Sequence, residues 1–253
     1  MASVLLYDTV LRRGTVSASV AGSGWRSAVD WRTTTYWTLP DTAVHWIASS
    51  LAAPVTVDSI AIYRHNGGSK GLQVWAEVYD DLSGWSEVAD SRIEYVNDNQ
   101  CVLHRFAPVS SQGLRLCLQA DDAGCFVGVA MLGQSVTLPY AMPAGFTPPR
   151  YAQQLDRIVN ESDGGQYIGS GLIKRGARVE LRQPVVSSAW LRTHGEPLIR
   201  HIERLPMVWM WSDEYPQDTC FCYLPSGDQV PEPKYRERGW HDFAIPLQCL
   251  LSD

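Results

Sequence analysis

The chain has 253 residues, 45% apolar and 19% charged, with ten Trp and eleven Tyr. This composition excludes a disordered segment, and the length suits two domains or one large β domain. A net charge of -6 with scattered Lys and Arg lacks the basic stripe that phosphate neutralisation requires, so no nucleic-acid partner is expected.

The chain starts Met1-Ala2-Ser3-Val4-Leu5-Leu6-Tyr7-Asp8, reaching an acid before a charged n-region or a long apolar run, so a secretory signal is not expected. No later stretch is long and apolar enough to cross a bilayer, and membrane insertion is not expected either. The run Asp30-Trp31-Arg32-Thr33-Thr34-Thr35-Tyr36-Trp37 sets a carboxylate and a hydroxyl in one tight loop. Asp and Thr close turns through neighbouring backbone amides, and the same oxygens suit a hard cation. Asp30 and Thr35 therefore read as turn closers and as calcium candidates. Sugar rings stack on indoles and phenols, which makes Trp25, Trp31 and Tyr36 the candidate carbohydrate-binding residues. Trp37 and Trp46 read as core.

From Val4 to about Gly133, short alternating stretches separated by Gly, Ser, Asn and Asp turns predict an antiparallel β-sandwich. Strands are expected at 46–51, 59–64, 72–79, 101–106, 114–119 and 126–132. His65-Asn66-Gly67-Gly68-Ser69-Lys70-Gly71 predicts a long hairpin loop. A phosphate cradle would need a helix next, whereas Leu72, Val74, Ala76 and Val78 alternate as a strand.

Four prolines between 137 and 149 stiffen the backbone and mark a semi-rigid linker, 136–150, between domains 1–135 and 151–253. In the second domain, strands are expected at 178–182 and 207–211, and a helix over 188–203 with Trp190, Ile199 and Ile202 on its apolar side. A terminal strand over 240–250 carries Pro246, which calls for an edge or bulge position, and an edge invites a neighbouring subunit.

The six cysteines show no CxxC pairing, so buried thiols are expected rather than a metal site, with Cys220 and Cys222 on one strand face. Asp80-Asp81, Asp121-Asp122 and Asp213-Glu214 are adjacent pairs at turn-like positions, and adjacency does not set two carboxylates across a pocket. Gly22-Ser23-Gly24 and Gly169-Ser170-Gly171 lack a strand-to-helix elbow. His194 and His201 have no third ligand, and polar surface is the expected place of the histidines. No catalytic residue emerges, and the chain is not expected to be an enzyme.

The spacing of Asp30, Thr35 and Trp37, with His45-Trp46-Ile47, the alternating run 57–63 and the closing strand 127–133, resembles discoidin-like (F5/8 type C, galactose-binding-like) domains. In that family the closing strand often carries a calcium-holding Glu. None occurs between Val127 and Gly133, so the resemblance implies that Asp30, Thr35 and Trp37 mark the fold, without a cofactor. The whole organisation resembles tail-tip or baseplate proteins of tailed bacteriophages, on the runs 60–66, 166–170 and 209–216. That resemblance implies a structural component of the virion tail, assembled in the host cytoplasm. Its C-terminal domain would dock to other tail proteins and to further copies in a ring, while the discoidin-like domain faces a host-surface glycan. The alternative is a carbohydrate-binding module protein of bacterial origin without catalytic activity.

Overall fold

The computed structural model describes residues 2–20, 24–93, 97–227 and 230–251, apart from the side chains of 155–157 and 172–175. The chain is mainly β, in antiparallel sheets. The first strands are β1 (Val4–Leu6), β2 (Thr15–Ala18), β3 (Trp37–Thr38), β4 (His45–His65), β5 (Gln73–Asp80), β6 (Gly84–Glu87), β7 (Val102–Gln119) and β8 (Phe126–Gly133). They are followed by β9 (Val136–Thr137), β10 (Gln153–Glu161), β11 (Tyr167–Ser187), β12 (Met207–Met210), β13 (Cys220–Tyr223), β14 (Lys234–Tyr235) and β15 (Trp240–Leu250).

One sheet has the order β3-β8-β4-β7-β5-β6, with β2 added on β4. β4 and β7 serve both layers of the sandwich. Their 45–50 and 113–118 stretches pair with each other, their 59–62 and 102–105 stretches pair again, and register shifts in between let the strands bend. Alternation then sorts side chains by face. Ile47, Val74, Ala76, Leu114, Leu116 and Leu118 meet Ile60, Ile62, Val127 and Leu132 in the sandwich interior. Each strand expected from the sequence in this half overlaps β4, β5, β7 or β8, with only Leu72 and Cys101 falling one residue short.

The second sheet has the order β10-β11-β15-β13-β12-β1-β9, with β14 on β15. β1 comes from the far N-terminus, yet Val4, Leu5 and Leu6 pair with Met210, Trp209 and Val208. β9 pairs with the other flank of β1. The two sheets share a core in which Val4, Leu6, Val208, Met210 and Phe221 meet Ala61, Tyr63, Leu103, Val129 and Met131. Tyr63 stacks on Phe221 with ring centroids 5.2 Å apart. Strands β4 and β8 are thus apolar on both faces, one turned into the sandwich and one toward the second sheet.

Against the division 1–135, 136–150 and 151–253, the second sheet draws strands from all three segments. The proline-rich segment lies along that sheet rather than spanning a gap. Leu138 is buried and its amide bonds to the Ser3 carbonyl, while the Phe146 ring lies 5.8 Å from Trp209 and 5.7 Å from Trp211. Apolar residues between the prolines give the segment a reason to pack.

The helix expected over 188–203 is present as Ser188–Trp190, a π-turn at Leu191–Gly195, and Glu196–Ile202. The Ser187 hydroxyl accepts from the Trp190 amide at 3.2 Å and starts it, and Leu191, Leu198, Ile199 and Ile202 cover the second sheet. Two expectations change. The 65–71 loop contains one helical turn, Gly67–Lys70, closed by Gly71 at φ 59°, although β5 follows as foreseen. β15 is an interior strand flanked by β11 and β13 rather than an edge. Pro246 is tolerated there because β13 pairs only with 248–250 and β14 only with 241–242, leaving that flank open beside the proline.

Candidate functional site

The Asp30 loop is closed on itself. Asp30 Oδ1 accepts the Arg32 amide at 2.8 Å, which turns the chain through Trp31 at φ 70°, and the Thr35 hydroxyl donates to both carboxylate oxygens at 3.2 and 3.0 Å. Trp37 is fully buried. Calcium takes six to eight oxygens, roughly, whereas here the two candidate side chains bond each other and the closing strand adds no carboxylate.

The three candidate sugar-binding aromatics are not brought together. Trp25 is 9% exposed in the sandwich core, with the Arg26 guanidinium 4.9 Å from its ring centre. Trp31 is 8% exposed between the sheets, with Arg12 5.9 Å over one side and the His201 ring 5.7 Å away edge-on. Only Tyr36 offers a face to solvent, at 48% exposure, leaning on Phe126.

A larger aromatic surface lies on the outer face of β2-β4-β7-β5-β6. Residues that alternate with the core positions are turned to this face: half-buried Trp46 from β4, which the sequence reading placed in the core, Arg115 from β7, Glu77 and Tyr79 from β5, Trp85 from β6, and Trp75 from β5, which is buried at 4% exposure. At the centre, Arg115 Nε donates to Glu77 Oε2 at 2.6 Å, and Trp75 Nε1 donates to Glu77 Oε1 at 2.8 Å. Burial pushes the Glu77 carboxyl up, but the Trp75 and Arg115 donors outweigh it and hold the group below the usual carboxylate range. The Arg115 guanidinium in turn lies 4.4 Å from the Trp85 ring and 5.6 Å from Trp46. Arg92 stands 4.1 Å over Trp75 and donates to Glu87.

Beside this cluster a hollow of about 240 Å³ is lined by Ser17, Ala48, Ser49, Ser50, Tyr79, Trp85 and Gly113. Gly113 makes it possible, because a Cβ there would come within 2.5 Å of Tyr79 Cβ. Tyr79 and Trp85, directly paired across β5 and β6, form an edge-on aromatic wall with centroids 5.3 Å apart. Opposite stand small residues and hydroxyls. The sequence reading missed this group, and alternation of Trp75, Glu77 and Tyr79 with the core of β5 was the only local signal.

Members of the acidic pairs and of the glycine–serine runs can be placed by their hydrogen bonds. Asp80 accepts the Leu82 and Ser83 amides in an exposed turn, and Asp213 accepts the Ala2 amide at 2.8 Å. Ser170 bonds the Tyr167 hydroxyl, while Gly22 and Ser23 lie outside the described residues. The histidines depart from expectation: His45 and His65 are core residues at 3% and 0% exposure. Sequence periodicity did not mark them because each satisfies its ring within the fold, His65 through Gln100 and Gly67.

No protein-family model and no curated protein matches this sequence. Solved structures do resemble it over about half its length. The family 32 carbohydrate-binding module of AlyQ, in complex with 4,5-unsaturated mannuronic acid, is 18% identical, with a TM-score of 0.40 over 52% of this chain and 97% of that one. A pectin-binding carbohydrate-binding module is 17% identical, with a TM-score of 0.39 over 51% and 93%. A candidate alpha-L-fucosidase from Bacteroides thetaiotaomicron is 19% identical, with a TM-score of 0.39, and the match spans only 29% of its length.

Proposed function

We propose that this chain is a non-catalytic glycan-binding protein with a discoidin-like sandwich that holds a neutral sugar on its outer face, in the hollow walled by Tyr79 and Trp85. The observation that carries this reading is the hollow itself, where an aromatic wall faces hydroxyls and small residues. Pyranose rings present apolar C–H faces to aromatics and hydroxyls to polar side chains. Arg115 is neutralised by Glu77, which favours an uncharged ring over an acidic one. Glycan-array screening followed by calorimetry on the full chain tests the reading. Binding is expected to fall at least about tenfold in Trp85→Ala and Tyr79→Ala, a loss of roughly 1.4 kcal/mol or more, with Tyr36→Ala unchanged. An array without signal, or an affinity that survives Trp85→Ala, would overturn it.

A second reading, structural service in a phage tail tip, is favoured by the hairpin of β10 and β11. β10 is the outermost strand of its sheet, and Ile158, Val159, Tyr167 and Ile168 are 42–68% exposed on this hairpin. Apolar edge strands pair readily with another chain. Sedimentation of the full chain is expected to show an oligomer that Ile158→Lys with Ile168→Lys dissolves, and mass spectrometry to find the protein in virions. A monomeric wild type that is absent from virions would sink this reading.

A further inference from the structure

Three thiols converge inside the second sheet. Cys220 and Cys222 sit two apart on β13 and point to the same face, and Cys249 of β15 is the direct cross-strand partner of Cys222. Their sulfurs lie 3.4 Å (Cys220 to Cys222) and 3.1 Å (Cys222 to Cys249) apart. All three residues are 0% exposed. Cysteine as a small apolar filler accounts for the burial, because thiols pack well among Met207, Leu247 and Trp209. It does not account for three sulfurs meeting at one point, where any larger apolar side chain would fill the same space with fewer polarisable atoms.

We propose that Cys220, Cys222 and Cys249 form a three-sulfur site for Cu(I). Among the described residues no fourth His, Cys, Asp or Glu joins the group. A three-coordinate soft ion therefore suits it better than tetrahedral zinc. With metal–sulfur bonds of about 2.3 Å, a trigonal site sets its sulfurs roughly 4.0 Å apart. The present spacings fall short of that by under one ångström, which small side-chain rotations on two fixed strands supply. Each sulfur that binds gives its proton to solvent. Because the site is enclosed, the ion enters as the sheet forms.

The test is elemental analysis of the full chain produced with copper and purified without oxygen. The expected result is about one copper per chain, a higher melting temperature than that of the copper-free protein, and an X-ray absorption shell of sulfur near 2.3 Å. Cys249→Ala is expected to lose the copper, and Cys125→Ala, in the separate sandwich core, to keep it. The absorption shell on the wild type decides the matter even where Cys249→Ala does not fold. Zinc in place of copper, three free thiols without metal, or a Cys222 to Cys249 disulfide on peptide mapping would each overturn the assignment.

Discussion

His65 shows how single residues tie the sandwich to pH. Its Nε2–H donates to the Gln100 carbonyl at 2.8 Å and its Nδ1 accepts the Gly67 amide at 3.0 Å, an arrangement that only the neutral ring provides. Burial holds its pKa below the ordinary histidine value, and His201, buried beside Arg12, is lowered for the same first reason. The unfolded chain therefore takes up these protons before the folded one does, so the stability they contribute is complete above about pH 6.5 and is lost as pH falls toward the folded values. Urea midpoints are expected to be lower at about pH 5.5 than at about pH 7.5, with His65→Asn flattening the difference. An equal slope in the variant would show that other groups carry it. At this scale the sequence shows what is local. Asp30 and Thr35 are five residues apart, and their bond could be foreseen. The hollow could not, because Ser50 meets Gly113 only through the β4–β7 register, and Trp25 and Trp31 lose their exposure to neighbours far along the chain.

Among elements, strands were read well wherever one face is polar. Alternation over 72–79 and 114–119 follows directly from having core on one side and solvent on the other. Reading failed where context overrides a local rule. Pro246 argued for an edge or a bulge, yet an interior strand accepts it because two short partners leave a gap beside it. The glycines of 65–71 argued for an open loop, yet His65 accepts the Gly67 amide and the chain takes one helical turn. The π-turn at Leu191–Gly195 has no periodic signature of its own. Gly195 sits close against the Leu191 side chain, whose Cδ1 would lie 2.5 Å from a Cβ there.

For the molecule as a whole, the decisive feature is the shared core between sheets. A fragment of residues 1–135 would leave Ala61, Tyr63, Leu103, Val129 and Met131 uncovered, an apolar face of the kind that drives association. Light scattering at equal mass concentration is expected to be higher for that fragment than for the full chain, and a monomeric, cooperatively melting fragment would show instead that the sandwich stands alone. Composition announced the β architecture but gave no sign of this face, because a strand buried on both sides looks like any short apolar run. The placement of β1 also sets a timetable for synthesis. Val4, Leu5 and Leu6 leave the ribosome about two hundred residues before the strand that covers one flank, Met207–Met210, at 5–20 residues per second or so. Both flanks of that apolar strand stay open until β9 is made, and one stays open until residue 207, so a ribosome paused before that point holds an apolar edge exposed to association.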